Sequence, residues 1–510
     1  MSDEVVSELG KAARGGALAL VGMVVSAVFG FLVRAIIGRV YGPSDYGTYS
    51  LAFTVFSITM VFVKLGFPMG LQRQVSYYLT KVPEKVHELI STAIVTVTIS
   101  STVGAIILLA VRGYLPGIIG GDGLLSRLLL VFGLALLPSG IFAIMIPISQ
   151  GFKRVREYII YTKLLIPLLY FLLVAVVAWV LGLGIEYVAV SYLIVQVVGL
   201  VLITRDLLRA NILPRRIGFS PPLAKALVLF SAPLMLSNIV WFIMTWTDTL
   251  MLGHYLGSTV VGIYNAAAPL AKFIPVFLSA FTVIYSPIVT SMYARGKLTE
   301  VNRFYKAITK WIVLLTFPLF LLLFAYPRPT IEVLFGREYT EAWLPMMILS
   351  VGFMFHSAVG PNGLTIISIG KPTKEMTGNI IGAVLNVIIN FLLIPRYGMS
   401  GAATATAVSY IVANAYKQGV LLREGINPFG RRYFKVIGVG ILVTAAALFL
   451  KASTIYMALL WVALLSAGFY ALTLVLGAFD ETDVELLKMV SKRFNLNLGR
   501  IIKMIERFSR

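Results

Sequence analysis

The stretch Gly38-Arg-Val-Tyr-Gly-Pro-Ser-Asp-Tyr-Gly-Thr-Tyr49 returns later in the chain as Gly253-His-Tyr-Leu-Gly-Ser-Thr-Val-Val-Gly-Ile-Tyr264. Gly38, Gly42, Gly47 and Tyr49 align with Gly253, Gly257, Gly262 and Tyr264 at one constant offset of 215 residues, with no gap. Each copy follows one apolar run and precedes another. A repeat of this kind fixes the architecture before any single residue does. A looser echo supports it. Gly184-Ile-Glu-Tyr-Val-Ala-Val190 and Gly398-Met-Ser-Gly-Ala-Ala-Thr404 lie 214 residues apart.

The solvent around these runs is lipid. Of 510 residues, 59% are hydrophobic and 13% charged, against about 25% charged in soluble domains. Apolar runs of roughly 20 residues, each long enough to cross a ~30 Å hydrocarbon core, recur from end to end. They lack the alternation of a barrel, and only helices or closed barrels satisfy their backbone in lipid. The expected fold is an all-α polytopic membrane protein with about fourteen transmembrane helices. The acidic, polar stretch Met1 to Glu8 is followed by a full-length span, so no cleavable signal peptide is expected.

Lys and Arg set the orientation. With the N-terminus inside, 31 of the 43 basic residues fall in cytoplasmic segments and 7 in outer loops, a strong positive-inside bias that places both termini in the cytoplasm. The net charge of +21 is then accounted for by loops, and nucleic acid is not an expected partner. Six spans separate the two copies of the repeat, so both halves run in the same direction, related by a pseudo-twofold along the membrane normal. The expected domains are a lobe at 1–214, a second six-helix lobe at 215–430, two additional spans in 431–479, and a basic tail at 480–510. In Arg500–Arg510, Ile501, Ile502, Met504, Ile505 and Phe508 share one helical face. That pattern suits an interfacial helix on an anionic leaflet or a partner-docking helix.

Enzyme motifs are absent: there is no P-loop, dinucleotide fingerprint, HExxH or serine elbow. The chain has no cysteine and only three scattered histidines, so neither a metal site nor a cofactor is expected. An ionised side chain in the bilayer is costly and marks a candidate site. Within the expected spans the bases are Arg34, Lys64, Lys163, Lys272 and Lys417, and the one acid is Asp248. Lys163 is close enough to the membrane surface to snorkel. Lys272 sits near mid-span, and Arg34 about one turn inside an outer end. Facing a shared cavity, these charges suit an anionic cargo. Asp248 has two readings, a site for a coupling proton or sodium ion and a structural pairing. An external contact between Arg34 and Asp248 is a further expectation. Trp246 stacks on sugar rings or belongs to an interfacial belt. His356 is a ligand or a hydrogen bond to a neighbouring helix. Arg73, after the helix-breaking Gly66-Phe-Pro-Met-Gly70, meets cargo at the inner mouth or serves orientation alone.

Several ordered stretches carry a family likeness. They are Arg34-Ala-Ile-Ile-Gly-Arg-Val-Tyr-Gly-Pro-Ser-Asp-Tyr-Gly-Thr-Tyr-Ser50, Phe230-Ser-Ala-Pro-Leu-Met-Leu-Ser-Asn238, Asp248-Thr-Leu-Met-Leu-Gly253, Val261-Gly-Ile-Tyr-Asn-Ala-Ala267, Leu334-Phe-Gly-Arg-Glu-Tyr339, and the segment from Leu385 through Asn390, Pro395 and Gly398 to Ala403. Over about 430 residues the chain resembles the polysaccharide or oligosaccharide flippases, the Wzx-type branch of the multidrug/oligosaccharidyl-lipid/polysaccharide (MOP) exporter superfamily. The resemblance implies a V-shaped, alternating-access transporter and no enzyme activity. Its implied cargo is an oligosaccharide on a polyprenyl or dolichyl phosphate or pyrophosphate, moved from the inner to the outer leaflet of the cytoplasmic membrane. It also implies a monomer among membrane lipids, in contact with glycan-assembly enzymes. In related lipid II flippases a first-span Arg binds cargo, and Arg34 is its counterpart here. Two extra helices there hold the lipid tail, a role open to spans 13 and 14. Drug-exporting relatives often carry acids in the first lobe, which this chain lacks. The alternative is an ion-coupled, MATE-like small-molecule exporter, which Asp248 keeps open.

Overall fold

The computed structural model describes residues 3–480 apart from Arg215, together with 483–485, 488, 491 and 499. Side chains are described from Gly22 onward, save those of Val155, Ser237, Val283 and Ile284. The tail segment Arg500–Arg510 lies outside the described residues. All regular structure among the described residues is helical. The chain divides into two compact units, Met1–Ala266 and Ala267–Arg510.

The first unit contains α1 (Asp3–Val63), α2 (Phe67–Lys81), α3 (Val86–Val111), the short α4 (Leu115–Ile119), α5 (Gly123–Gly151), α6 (Val155–Tyr158), α7 (Ile166–Ala175), α8 (Glu186–Arg209) and α9 (Pro221–Leu256). It ends within α10 (Ser258–Ala271). Helix α5 is its hub, packing on α1, α2, α3 and α8. Two-thirds of its apolar stretch is buried (67%). Small residues allow this approach: Gly133 meets Leu109, Gly140 meets Ser101, and Gly151 meets Val75.

The second unit continues with α11 (Val276–Ala294), α12 (Leu298–Ala325), α13 (Pro327–Phe335), α14 (Trp343–Ala358), α15 (Asn362–Ser368), α16 (Pro372–Arg423), α17 (Arg431–Phe449) and α18 (Ile455–Val475). Helix α14 packs between α12 and α16, and α17 and α18 pack on α12. Gly352 of α14 lies directly against the backbone of Ala407 of α16.

Ten helices among the described residues are long and apolar enough to span a membrane, and two bent pairs raise this to twelve. Two of the ten, Gly22–Lys81 and Pro372–Arg423, are 60 and 52 residues long. At 1.5 Å per residue either is about 80 Å or more, far beyond a ~30 Å core. Each contains a break, at Gly42 (φ 75, ψ 176) and Gly398 (φ 54, ψ −131). Counting each as two spans makes the structure consistent with the expected fourteen.

The repeat is visible in the backbone. Gly42 and Gly257 share one conformation, φ 75, ψ 176 against φ 83, ψ 176, a region that L side chains rarely adopt. The second echo shifts slightly: the positive-φ partner of Gly398 is Gly182 rather than Gly184. The two copies of the opening stretch also pack on each other, reciprocally. A Cβ on Gly47 would strike the carbonyl of Ser258, and one on Gly262 would strike the carbonyl of Pro43. Pro43 and Ser258 are themselves equivalent under the 215-residue offset. Nearby, Gly120 and Gly253 abut backbone to backbone, and the Tyr46 hydroxyl donates to the Asn265 carbonyl at 3.1 Å. Further along, Gly66 and Gly70 at the start of α2 press on Ser231 of α9. Helix α9 is thus held at two levels by glycines of the preceding helices.

Gly47→Ala is expected to lower thermal stability by about 1–3 kcal/mol through overpacking. Gly30, helical with open space around its Cβ position, is the control. Gly30→Ala should be neutral or stabilising by about 0.5–1 kcal/mol. Unfolding of both purified variants checks the contrast, and equal behaviour would contradict the close contact.

Candidate functional site

In the first unit, Arg34 lies on α1, half-buried, within electrostatic reach of the hydroxyls of Tyr46, Tyr49 and Tyr170. Among the described residues no carboxylate forms an ion pair with it. Low-dielectric surroundings make an unpaired charge of this kind costly. The Tyr49 and Tyr170 hydroxyls are hydrogen-bonded at 2.6 Å, joining α1 to α7.

Beyond these tyrosines lies an aromatic wall. Phe53 of α1 contacts Tyr192 of α8 edge-on at 5.7 Å and Trp246 of α9 at 6.2 Å, and Tyr170 meets Tyr192 at 5.6 Å. Trp246 also stacks on Phe242 at 6.3 Å. Tyr192 then lines a cavity of about 340 Å³ with Lys64, Gln150, Thr162 and Gln196. Lys64 sits in the break between α1 and α2, where Leu65 and Gly66 take positive φ values of 50° and 72°. Its ammonium has no hydrogen-bond or ion-pair partner among the described residues. The first unit therefore brings together Arg34, an aromatic wall and Lys64. An apolar, aromatic lining with a few placed polar groups is the usual make-up of a small-ligand site.

The other expected site residues lie elsewhere. Arg73, exposed on α2, is over the ring of Phe230 at 5.0 Å. Asp248 on α9 is buried, at 4% exposure. Its carboxylate accepts from the Tyr264 hydroxyl at 2.7 Å and the Thr249 amide at 2.8 Å. Among the described residues no ion pair joins it to Arg34, and its bond to Tyr264 ties it to the second repeat copy. In the second unit, Lys272 is exposed at a 49° break between α10 and α11. The His356 ring is hydrogen-bonded to Asn414 Oδ1 of α16 at 3.1 Å and lies edge-on to Tyr410.

One charge was misjudged from sequence. Lys417 is buried and donates to Glu375 at 2.7 Å and Asn379 at 2.8 Å. In the sequence Glu375 lies just before the apolar run that begins at Met376, which leaves Asp248 as the one acid in the expected spans. Helix α16 begins at Pro372, which carries Glu375 onto the face of Lys417. This pair removes one base from the expected anionic-cargo set. Lys163 lies over the Tyr158 ring at 5.5 Å, beside the π-helical segment Ile159–Leu165. The wall residues Tyr49, Phe53, Tyr170 and Tyr192 were missed. Their signal is weak because aromatic residues abound in every span, and their convergence from three helices becomes evident only in three dimensions.

Comparison with known proteins agrees with this architecture. Residues 12–293 match the family described as polysaccharide biosynthesis protein, and residues 233–392 match the MatE family. An uncharacterized membrane protein of Methanocaldococcus jannaschii is 26% identical over 463 residues, covering 86% of this chain and 90% of its own length. A probable low-salt glycan biosynthesis flippase of Haloferax volcanii is 25% identical over 189 residues, 37% of this chain and 40% of that protein. Among solved structures, the lipid II flippase MurJ in an inward closed conformation has a TM-score of 0.72 at 15% identity, covering 89% of this chain and 99% of that one. An inward-facing multidrug-resistance MATE transporter of the MOP superfamily has a TM-score of 0.63 at 15% identity, covering 86% and 100%. At that identity the structural likeness shows the fold alone. The family match spans more than half of the sequence, and with it the chain belongs to the polysaccharide biosynthesis protein family, a flippase branch of the MOP superfamily.

Proposed function

We propose that this protein flips a lipid-linked oligosaccharide, carried on a polyprenyl or dolichyl phosphate or pyrophosphate, from the inner to the outer leaflet of the cytoplasmic membrane. It acts as a transporter rather than an enzyme, by alternating access, probing neither bond making nor bond breaking. The observation that carries the reading is Arg34, a half-buried guanidinium with no carboxylate partner among the described residues, set beside tyrosine hydroxyls and an aromatic wall. A guanidinium grips phosphate through paired donors, and aromatic faces offer flat apolar surface to a glycan. Lys64, Arg73, Lys272, Trp246 and His356 are proposed as further cargo contacts, with Lys64 the best placed. It lines the 340 Å³ cavity. The protein works as a monomer, alongside the enzymes that assemble its glycan.

A second reading, an ion-coupled small-molecule exporter, draws on Asp248, which falls within the stretch 233–392 that matches the MatE family. In the flippase reading the same carboxylate is the site for a coupling proton or sodium ion. Its present partner, Tyr264, would yield to the ion.

Arg34→Ala should reduce the lipid-linked oligosaccharide retained by purified protein about tenfold, the effect of losing a charge-assisted hydrogen bond of ~1.5–3 kcal/mol. Native mass spectrometry reads this directly, and undiminished retention by a folded variant would exclude Arg34 from the site. Asp248→Asn should abolish the dependence of transport on an imposed ion gradient. Unchanged dependence would assign Asp248 to structure. Orientation is testable because the chain has no cysteine. The sites for Thr299→Cys and Glu338→Cys lie in the first turn of α12 and in the segment Arg337–Ala342 beyond its other end. An impermeant maleimide applied to intact cells should label the second and spare the first, and the reverse pattern would invert the topology.

A further inference from the structure

A basic cavity is lined wholly by residues of the second unit and shares none with the Arg34 and Lys64 site. It has a volume of about 240 Å³ and is lined by Arg303, Lys306, Lys310, Arg431, Arg432 and one acid, Asp480. It sits where α12 and α17 begin. Both helices are long and apolar enough to span the membrane, so the cavity lies at a membrane boundary.

Three features make it suited to an anion. The first is charge: five bases line it with a single carboxylate. Not all five are committed. Lys310, 3% exposed, is paired with Asp483 at 2.5 Å and with Asp480 at 3.6 Å. Arg432 is paired with Asp480 at 3.1 Å, and Arg303 reaches Glu485 at 3.7 Å. Lys306 and Arg431 have no carboxylate within ion-pair distance among the described residues. The second is the start of α17. This helix runs 19 residues from Arg431, and no side chain caps its first amides. Those amides and the helix dipole add to the positive potential. The third is room. About 240 Å³ is several times the ~30 Å³ share of one water, enough for a phosphate group and its hydration.

We propose that this cavity binds a phosphate group, with Lys306, Arg431 and the α17 amides as its principal donors. Asp480 is a built-in competitor. Its carboxylate holds Arg432 and touches Lys310 from the position an anion would take, so the occupant must displace or share that charge. The phosphate has two sources, the headgroup of an anionic lipid at the membrane boundary and free phosphate from solution. The site does not depend on the identity of the transported cargo, because none of its residues belongs to the Arg34 site.

The test uses the full-length chain in nanodiscs of phosphatidylcholine with one-fifth phosphatidylglycerol, with retained lipid read by native mass spectrometry. A parallel thermal-shift titration uses inorganic phosphate in pure phosphatidylcholine nanodiscs. The double variant Lys306→Gln/Arg431→Gln should weaken binding about tenfold. Asp480→Asn should strengthen it about threefold, since it removes a like charge from the site. Preferential retention of phosphatidylglycerol identifies a headgroup site, and a response to inorganic phosphate alone identifies a soluble-phosphate site. Either supports the proposal when the variants shift it in these opposite directions. No preference and no phosphate response, or binding unchanged in folded variants, overturns it.

Discussion

The backbone contact between the two copies of the glycine stretch constrains the rest of the first unit. Gly47 and Gly262 each press on the other copy's first turn, at the carbonyls of Ser258 and Pro43. Any side chain at either position would separate the helices. The same contact fixes what lies around it. It brings Tyr46 to the Asn265 carbonyl, and α9 is carried past α1 with Trp246 facing Phe53. In lipid there is little hydrophobic gain from pairing apolar helices, so close van der Waals packing of small residues has to supply the association. Glycine is the residue that permits it, and here it does so twice because the sequence is repeated.

The cost of charge in a membrane decides how the polar residues are arranged. Several buried charges have partners in the structure: Lys417 pairs with Glu375, Lys310 with Asp483, and Asp248 accepts from the Tyr264 hydroxyl. Arg73 and Lys163 lie over aromatic rings. Arg34 and Lys64 have neither a carboxylate partner nor a ring contact of this kind among the described residues. Both lie on the first long helical stretch, Gly22–Lys81, and Tyr192 connects their surroundings through the aromatic wall and the cavity. Matched pairs hold a fold together, whereas an unmatched cation beside a cavity is available to an anion.

Sequence reading reached the architecture because its signals are one-dimensional. Apolar runs, a constant offset of 215 residues and a biased charge distribution are properties of the chain itself, and Gly42 and Gly257 carry them into matching backbone angles. Candidate charges were legible for the same reason. Their partners were not. Glu375 stays hidden because α16 starts at Pro372, ahead of the apolar run that marks the span. Tyr264 is legible in the sequence only as a repeat position, yet it binds Asp248 sixteen positions away, across the break at Gly257. The wall formed by Tyr49, Phe53, Tyr170 and Tyr192 depends on helix crossings that no local pattern encodes. The pairing of Lys310 with Asp483, 173 residues distant, is likewise invisible to periodicity.

The proposal that these observations support is transport of an anionic, sugar-bearing lipid headgroup by a member of the polysaccharide biosynthesis protein family. The direct measurement is transbilayer movement in vesicles reconstituted with the purified chain and a polyprenyl-phosphate-linked oligosaccharide. Accessibility of the glycan to an impermeant lectin or glycosidase reports the leaflet that holds it. Movement well above that in protein-free vesicles, without cleavage of the sugar-phosphate linkage, is the expected result. Movement no faster than in protein-free vesicles, from folded protein and across several glycans and carriers, would contradict it.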